Sequence, residues 1–194
     1  DLRRQAPAPV ILQAAVADAL ARAGLAGNGP VRVKNDLPAE PLSVLGGPSL
    51  AGVFWNLFDN ARKAMPGGGA LTIAARRVGP DRVGSDRLGP EGAGPDRVAV
   101  EVADTGVGIE PWRLPSLFEP GASTDRDGYA PAHGLGLWWT RGQVESFGGA
   151  ITVASEPGRG TVFTVTLRSA GTPGPAGPAG PCVDFQTVLF MAIL

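Results

Sequence analysis

Three short segments hold side chains whose types and spacing suit chemistry. In Asn56-Leu57-Phe58-Asp59-Asn60-Ala61-Arg62-Lys63-Ala64, the residues Asn56, Asn60 and Lys63 fall at i, i+4 and i+7, on one helix face. Val53, Leu57 and Ala64 lie close to that face, so two amides and an ammonium beside apolar residues need partners. A metal–polyphosphate supplies them, since an Asn oxygen is a hard ligand suited to magnesium and Lys suits phosphate. A capped or solvated helix edge is the equal alternative. The second segment is Asp104-Thr105-Gly106-Val107-Gly108-Ile109, directly after a strand. There a carboxylate at a strand end can accept a hydrogen bond from an adenine amino group. Glycines would let the base approach the backbone, and Ile109 would cover its face. The alternative is a tight turn with Asp104 as an Asx-type cap. The third is His133-Gly134-Leu135-Gly136-Leu137 at a helix start, where free N–H groups and the positive dipole end make an anion site. A flexible hinge into a helix is the alternative there.

These segments must be held by particular elements. Leu50, Val53, Phe54, Leu57, Phe58 and Ala61 recur as an apolar stripe, which predicts a helix from Gly47-Pro48 to about Met65. Before it, residues 1–9 read as a polar linker or arm. A helix follows from Val10 to Ala23, then a short strand around Val31 and Val33 and another at Leu42–Leu45. Ala70–Val78 and Val98–Ala103 read as strands, the second delivering Asp104. Between them, residues 79–98 repeat with a period of five (GPDRV, GSDRL, GPEGA, GPDRV) and read as an expanded loop insert. Residues 110–133 are irregular and too long for an ordinary connection, which suits a lid or binding loop. Gly134–Phe147 is a helix, and in it burial is the default for at least one of Trp138 and Trp139. Ile151–Ala154 and Thr161–Leu167 form a closing antiparallel hairpin. Helices and strands interleave throughout, which predicts a two-layer α/β sandwich. A Gly/Pro-rich spacer at 169–182 and an apolar tail at 183–194 complete the chain.

The composition bounds what such a domain does. The chain has 194 residues, 17 Lys plus Arg against 18 Asp plus Glu, and a formal net charge of −1. That balance argues against a nucleic-acid partner held by a large basic face. One cysteine, Cys182, excludes an internal disulfide and a Cys-rich zinc site. The single His133 excludes His-pair metal motifs. No apolar run approaches the roughly 20 residues of a membrane span, and no secretion signal is visible. A start at Asp1 reads as a fragment or processed product.

Together, in their order and spacing, the segments resemble the N, G1, F and G2 boxes of the GHKL (Bergerat) ATP-binding fold, shared by sensor histidine kinases, gyrase B and MutL. NLFDNARKA, VADTGVGI, LFEPGAST, HGLGL and the closing ITVASEPGRGTVFTVTL are most similar to the catalytic domain of two-component histidine kinases, across roughly residues 10–168. The resemblance implies that Asn60 binds magnesium and that Asn56 and Lys63 support the phosphates. It implies that Asp104 takes the adenine amino group, with Gly106, Gly108 and Ile109 shaping the pocket and Thr161 joining the adenine network. Phe118 would anchor the ATP lid, Ser123, Thr124 and His133 would belong to the nucleotide-binding set, and Gly134, Leu135, Gly136 and Leu137 would cradle phosphates. The implied cofactors are ATP and Mg2+. The implied partners are a histidine phosphoacceptor and dimerisation domain and a downstream response regulator, with no nucleic acid. A cytoplasmic location follows from the need for ATP.

Some residues depart from the family pattern. Asn56 stands where hydrolytic members carry a glutamate base. An amide cannot take a proton, which favours phosphoryl transfer over hydrolysis. Ala132 and His133 replace the first two residues of a Gly-Thr-Gly-Leu-Gly-Leu box. Asp125 stands in the lid where a basic residue is usual, with Arg126 next. No acceptor histidine lies outside the G2 box, so the phosphoryl group would go to a histidine on a separate domain. The alternatives are a degenerate nucleotide-binding or interaction module, or a GHKL serine kinase of anti-sigma type.

Overall fold

The computed structural model describes residues 7–79, 96–121 and 135–170. Ser123, Thr124, Asp125, Arg126, Ala132, His133 and Gly134 lie outside these residues, as do most of the five-residue repeat, Cys182 and the apolar tail. The elements run β1 (Ala8–Ile11), α1 (Leu12–Arg22), β2 (Val31–Asp36), β3 (Ser43–Gly46), α2 (Leu50–Ala64), β4 (Gly69–Val78), β5 (Arg97–Asp104), α3 (Gly136–Ser146), β6 (Ala150–Glu156) and β7 (Gly160–Arg168). A short 3-10 helix, Pro111–Ser116, stands between β5 and α3.

Five strands form one mixed sheet in the order β2-β4-β5-β7-β6, with β2 and β4 parallel and the other pairs antiparallel. Alternation sorts the side chains. Val98, Val100 and Val102 on β5 lie across from Leu167, Val165 and Phe163 on β7, and Ile73 on β4 faces Val102. These residues are buried, and the helices complete the core with Leu12, Val16, Leu50, Val53, Phe54, Leu57, Phe58 and Val144. Phe54 and Phe58, one turn apart on α2, stack with centroids 6.2 Å apart. The result is a two-layer α/β sandwich.

Helices α2 and α3 run antiparallel, tied at three levels. Ser49 Oγ donates to Gln143 Oε1 at 2.7 Å, Trp139 lies over Gly52, and Asn56 Nδ2 donates to Thr140 Oγ1 at 2.8 Å. On α1, Gln13 holds the β2–β3 connection, accepting from Leu42 N–H at 3.0 Å and donating to the Pro38 carbonyl at 2.9 Å.

The structure differs from sequence expectation in several places. The arm at 1–9 contributes Ala8 and Pro9 to β1, which pairs with β3 as a separate two-stranded sheet. Val10 and Ile11, in phase with the helix, belong to that strand, because Val10 pairs with Val44. Arg97 is not loop: it extends β5 against Arg168, one residue before the expected strand start at Val98, which pairs with Leu167. Ser169 and Ala170 are not spacer, since their N–H groups donate to the carbonyls of Asp96 and Ser43. Neither tryptophan of α3 is buried. The face turned to the core is Leu137, Thr140 and Val144, which leaves Trp138 48% exposed and Trp139 37% exposed while Thr140 is fully buried.

Candidate functional site

Among the described residues, the buried polar side chains are Asp104, Thr140 and Thr161. Asp104 and Thr161 sit at an end of the sandwich where an apolar stripe stops, whereas Thr140 lies within the core-facing stripe of α3 between Leu137 and Val144. Asp104 continues Val98, Val100 and Val102 on β5. Thr161 continues Leu167, Val165 and Phe163 on β7, and Ser155 continues Ile151 and Val153 on β6. The three polar residues are register partners across neighbouring strands, Asp104 with Thr161 and Thr161 with Ser155. The inner sheet face therefore ends in a polar row.

Burial pushes the Asp104 carboxyl up to about 6, even though the N–H groups of Gly106 and Thr161 hydrogen-bond to it and pull the other way. Gly106 N–H donates to Asp104 Oδ1 at 2.9 Å. The segment after Asp104 then packs against the end of α2. Val107 N–H donates to the last-turn carbonyl of Ala64 at 3.1 Å, satisfying a helix-end acceptor. A Cβ on Gly106 would stand 2.7 Å from Ala64 Cβ and 2.8 Å from Asp104 Oδ1. Gly108, at φ +71°, has the Glu156 carbonyl oxygen where a Cβ would go. So these two glycines first let the loop press against α2 and the β6–β7 turn. On the other side of the row, Ile109 N–H donates to Ser155 Oγ at 2.9 Å.

One turn back along α2 from Ala64 is Asn60. Its side chain is half-buried and has no hydrogen-bond partner among the described residues. Asn56, a further turn back, is held: its amide donates to the buried Thr140, and its Oδ1 lies 2.6 Å from where a Cβ on Gly136 would be. Lys63 is exposed and paired with Asp59 at 2.8 Å, which also receives Arg62 at 2.6 Å. Burial would raise Asp59, but the hydrogen bonds from Lys63 and Arg62 outweigh it and hold the carboxyl below its usual value. Leu135 is half exposed at the start of α3, and Leu137 packs on the core. Phe118 meets Phe163 edge-on at 6.5 Å, with the Arg141 guanidinium 5.9 Å from its ring centre.

The structure thus brings Asn56, Asn60, Asp104, Gly106, Gly108, Ile109, Gly136 and Thr161 to one end of the sandwich. Lys63 lies on the rim in an ion pair, and Phe118 ties the segment after the 3-10 helix to β7 and α3. Sequence reading missed Thr140 and Ser155. Ser155 carried a signal, because it stands in the apolar phase of Ile151 and Val153. Thr140, inside Trp-Trp-Thr, carried none. An open apolar groove lined by Val10, Ala14, Ala15, Gly47, Pro48 and Ala51 lies elsewhere, between β1, α1 and the start of α2.

Residues 47–171 match the family described as Histidine kinase-, DNA gyrase B-, and HSP90-like ATPase. The chain is 38% identical over 112 residues to the sensor kinase CckA of Brucella abortus (strain 2308), covering 58% of this chain and 12% of that protein. It is 36% identical over 118 residues to the sensor histidine kinase ZraS of Salmonella typhi, covering 61% of this chain and 21% of that one. The chain therefore spans only a small part of the length of these relatives. The solved mycobacterial sensor histidine kinase MprB shares its fold, with a TM-score of 0.64 at 24% identity, over 84% of this chain and 97% of that one. The chain belongs to the histidine kinase-, DNA gyrase B- and HSP90-like ATPase family, and within it to the catalytic ATP-binding domains of sensor histidine kinases.

Proposed function

We propose that this domain binds Mg-ATP and presents the γ-phosphoryl group to a histidine on a separate phosphoacceptor and dimerisation domain, upstream of a response regulator. The observation that carries the reading is the placement of a buried carboxylate, Asp104, at the end of β5, where the loop that follows presses against α2 one turn from Asn60, whose amide has no hydrogen-bond partner among the described residues. That juxtaposition suits a ligand with a hydrogen-bonding base at one end and a metal-bound polyphosphate at the other.

Asp104 accepts a hydrogen bond from the base amino group. Ile109 and the loop backbone cover the base, and Thr161 lies beside it. The Asn60 oxygen is a hard donor with no hydrogen-bond partner among the described residues, and no group of three His, Cys, Asp or Glu able to hold a metal occurs among them. That donor set fits a cation held largely by the ligand's own phosphates, as magnesium is. Bound magnesium supplies neutralising charge to the phosphate oxygens. Asn56 positions rather than takes a proton: its amide is fixed by Thr140, and it has no basic lone pair to offer water. Catalysis by this chain is then orientation and charge stabilisation for an incoming nucleophile. Gly136, Leu135 and Leu137 stand at the α3 start beside Asn56. The roles of Ser123, Thr124, His133 and Gly134 rest on the family resemblance. No helix among the described residues is long and apolar enough to cross a membrane. The ATP requirement points to the cytoplasm.

A nucleotide-binding module without catalysis is the second reading, favoured by the Lys63–Asp59 pair, which occupies a cation the phosphates would otherwise take. Titration calorimetry of ATP with and without magnesium, on the native chain and on Asp104→Ala, tests the site. Magnesium-aided binding lost in the variant supports it, and no binding at millimolar ATP by folded protein refutes it. Adding a histidine phosphoacceptor domain with labelled ATP separates the two readings. Phosphohistidine formation supports the kinase, and binding without transfer supports the module.

A further inference from the structure

The polar row at the end of the sheet has a fixed direction of hydrogen bonding, and Ser155 sets it. A serine hydroxyl has one proton to give and two lone pairs to offer. Ser155 Oγ lies 2.8 Å from the Gly160 carbonyl, which can only accept, so the serine proton goes there. Ile109 N–H, at 2.9 Å, can only donate and takes one lone pair. The third neighbour, Thr161 Oγ1 at 3.0 Å, must then be the donor in its contact with Ser155. With its proton committed, Thr161 turns only lone pairs toward anything else that approaches. Asp104, the next residue in the row, is also an acceptor when ionised, and its Oδ1 already receives Gly106 N–H. Direct register partners place their side chains about 5 Å apart, so a group that bonds to Asp104 also meets the Thr161 hydroxyl.

We infer that Ser155 is a positioning residue that orients the Thr161 hydroxyl, making Asp104 and Thr161 an acceptor-only edge that selects a base bearing an exocyclic amino group over one bearing an oxo group there. The inference rests on the reading that a purine nucleotide lies against Asp104. An amino group brings two N–H donors to two acceptors. An oxo group brings lone pairs to both and leaves the row unpaired, which is the situation in which buried polar sites reject a ligand most strongly. Ser155 itself acts only through Thr161.

The test is calorimetric titration with ADP and with IDP, whose base carries an oxo group in place of the amino group and a proton on the adjacent ring nitrogen, in the presence of magnesium. It uses the full chain and the variants Ser155→Ala, Ser155→Thr and Thr161→Val, with circular dichroism to confirm folding, and it reads the change in the ADP-to-IDP ratio between variants, which cancels the fixed contribution of the ring N–H. The native chain is expected to prefer ADP. Ser155→Ala frees the Thr161 proton to turn toward the oxo group, so the ADP-to-IDP preference is expected to fall about tenfold, and Ser155→Thr restores it. Thr161→Val removes the lone pairs and lowers the preference in the same direction. Equal weakening of both nucleotides by Ser155→Ala, with the ratio unmoved, would show that Ser155 only holds the loop and overturns the inference. If Ser155→Ala does not fold, an unmoved ratio in Thr161→Val overturns it. Failure of the native chain to bind either nucleotide overturns the parent reading and this one with it, whereas ADP binding with an unmoved ratio overturns this one alone.

Discussion

Asp104→Asn separates what the carboxylate does for a ligand from what it does to the fold. Asp104 is 8% exposed at the end of an apolar stripe, and burial raises its pKa from the ordinary 3.8 to about 6. A carboxyl whose pKa is higher in the folded chain than in the unfolded one binds more protons when folded. Its contribution to stability is therefore greatest below about pH 4, falls as pH rises through about 6, and is flat beyond. The full loss is about 3 kcal/mol. The amide is neutral at every pH and keeps Oδ1 as acceptor for Gly106 N–H, so the variant lacks this pH-dependent loss. We expect the ligand-free variant to exceed the native chain by about 1 to 3 kcal/mol at pH 7.5, the lower end applying if the amide leaves one N–H less well paired. The margin shrinks steadily to nothing or below by pH 4. Urea unfolding followed by circular dichroism at half-unit steps from pH 4 to 7.5 reads the difference directly. ATP affinity, measured in parallel, falls at pH 7.5 because an anionic acceptor is gone. A stability difference that stays flat across that range, or that grows as pH falls, would refute the reasoning.

Other substitutions probe the same end of the sandwich. Gly136→Ala drives a Cβ to 2.6 Å from Asn56 Oδ1, so Asn56 must leave Thr140. A stability loss of about 1 to 2 kcal/mol by thermal melt and about tenfold weaker ATP binding are expected. Gly160→Ala meets the Asp104 carbonyl oxygen at φ +109°, so about 3 kcal/mol or more is lost and near-ultraviolet circular dichroism should show disrupted packing. Asn60→Ala should leave magnesium-free ATP binding within about twofold and remove most of the gain that magnesium gives, read by calorimetry.

Much of this architecture was legible because periodicity reports burial. The stripe on α2 and the alternation on β5 and β7 each show which face is inside, and the motif glycines marked where chain segments meet. What stayed hidden was pairing between distant residues. Nothing local says that Thr161 stands opposite Asp104, or that Asn56 finds its partner in Thr140. The Lys63–Asp59 pair was readable, being at helical i, i+4 spacing, but a phosphate-directed reading of Lys63 passed over it. β1 escaped because a four-residue edge strand containing Pro9 has almost no signal of its own. The tryptophans of α3 misled because size suggested burial, whereas the helix turns Leu137, Thr140 and Val144 to the core and leaves both indoles on its outer side.

β4 and β5 separate at Val78 and Arg97, which are register partners, while Asp104 pairs with Leu71 at the far end of the same two strands. Seven residues of antiparallel strand, about 24 Å, lie between that exit and the polar row. The chain leaves and returns at a single point at the opposite end of the sheet from the polar row. Inserted length there adds closure entropy only logarithmically. Such a position tolerates added or removed sequence while the polar row at the other end keeps its geometry. It is also where a reporter or affinity tag can be spliced into the domain with least disturbance to its chemistry.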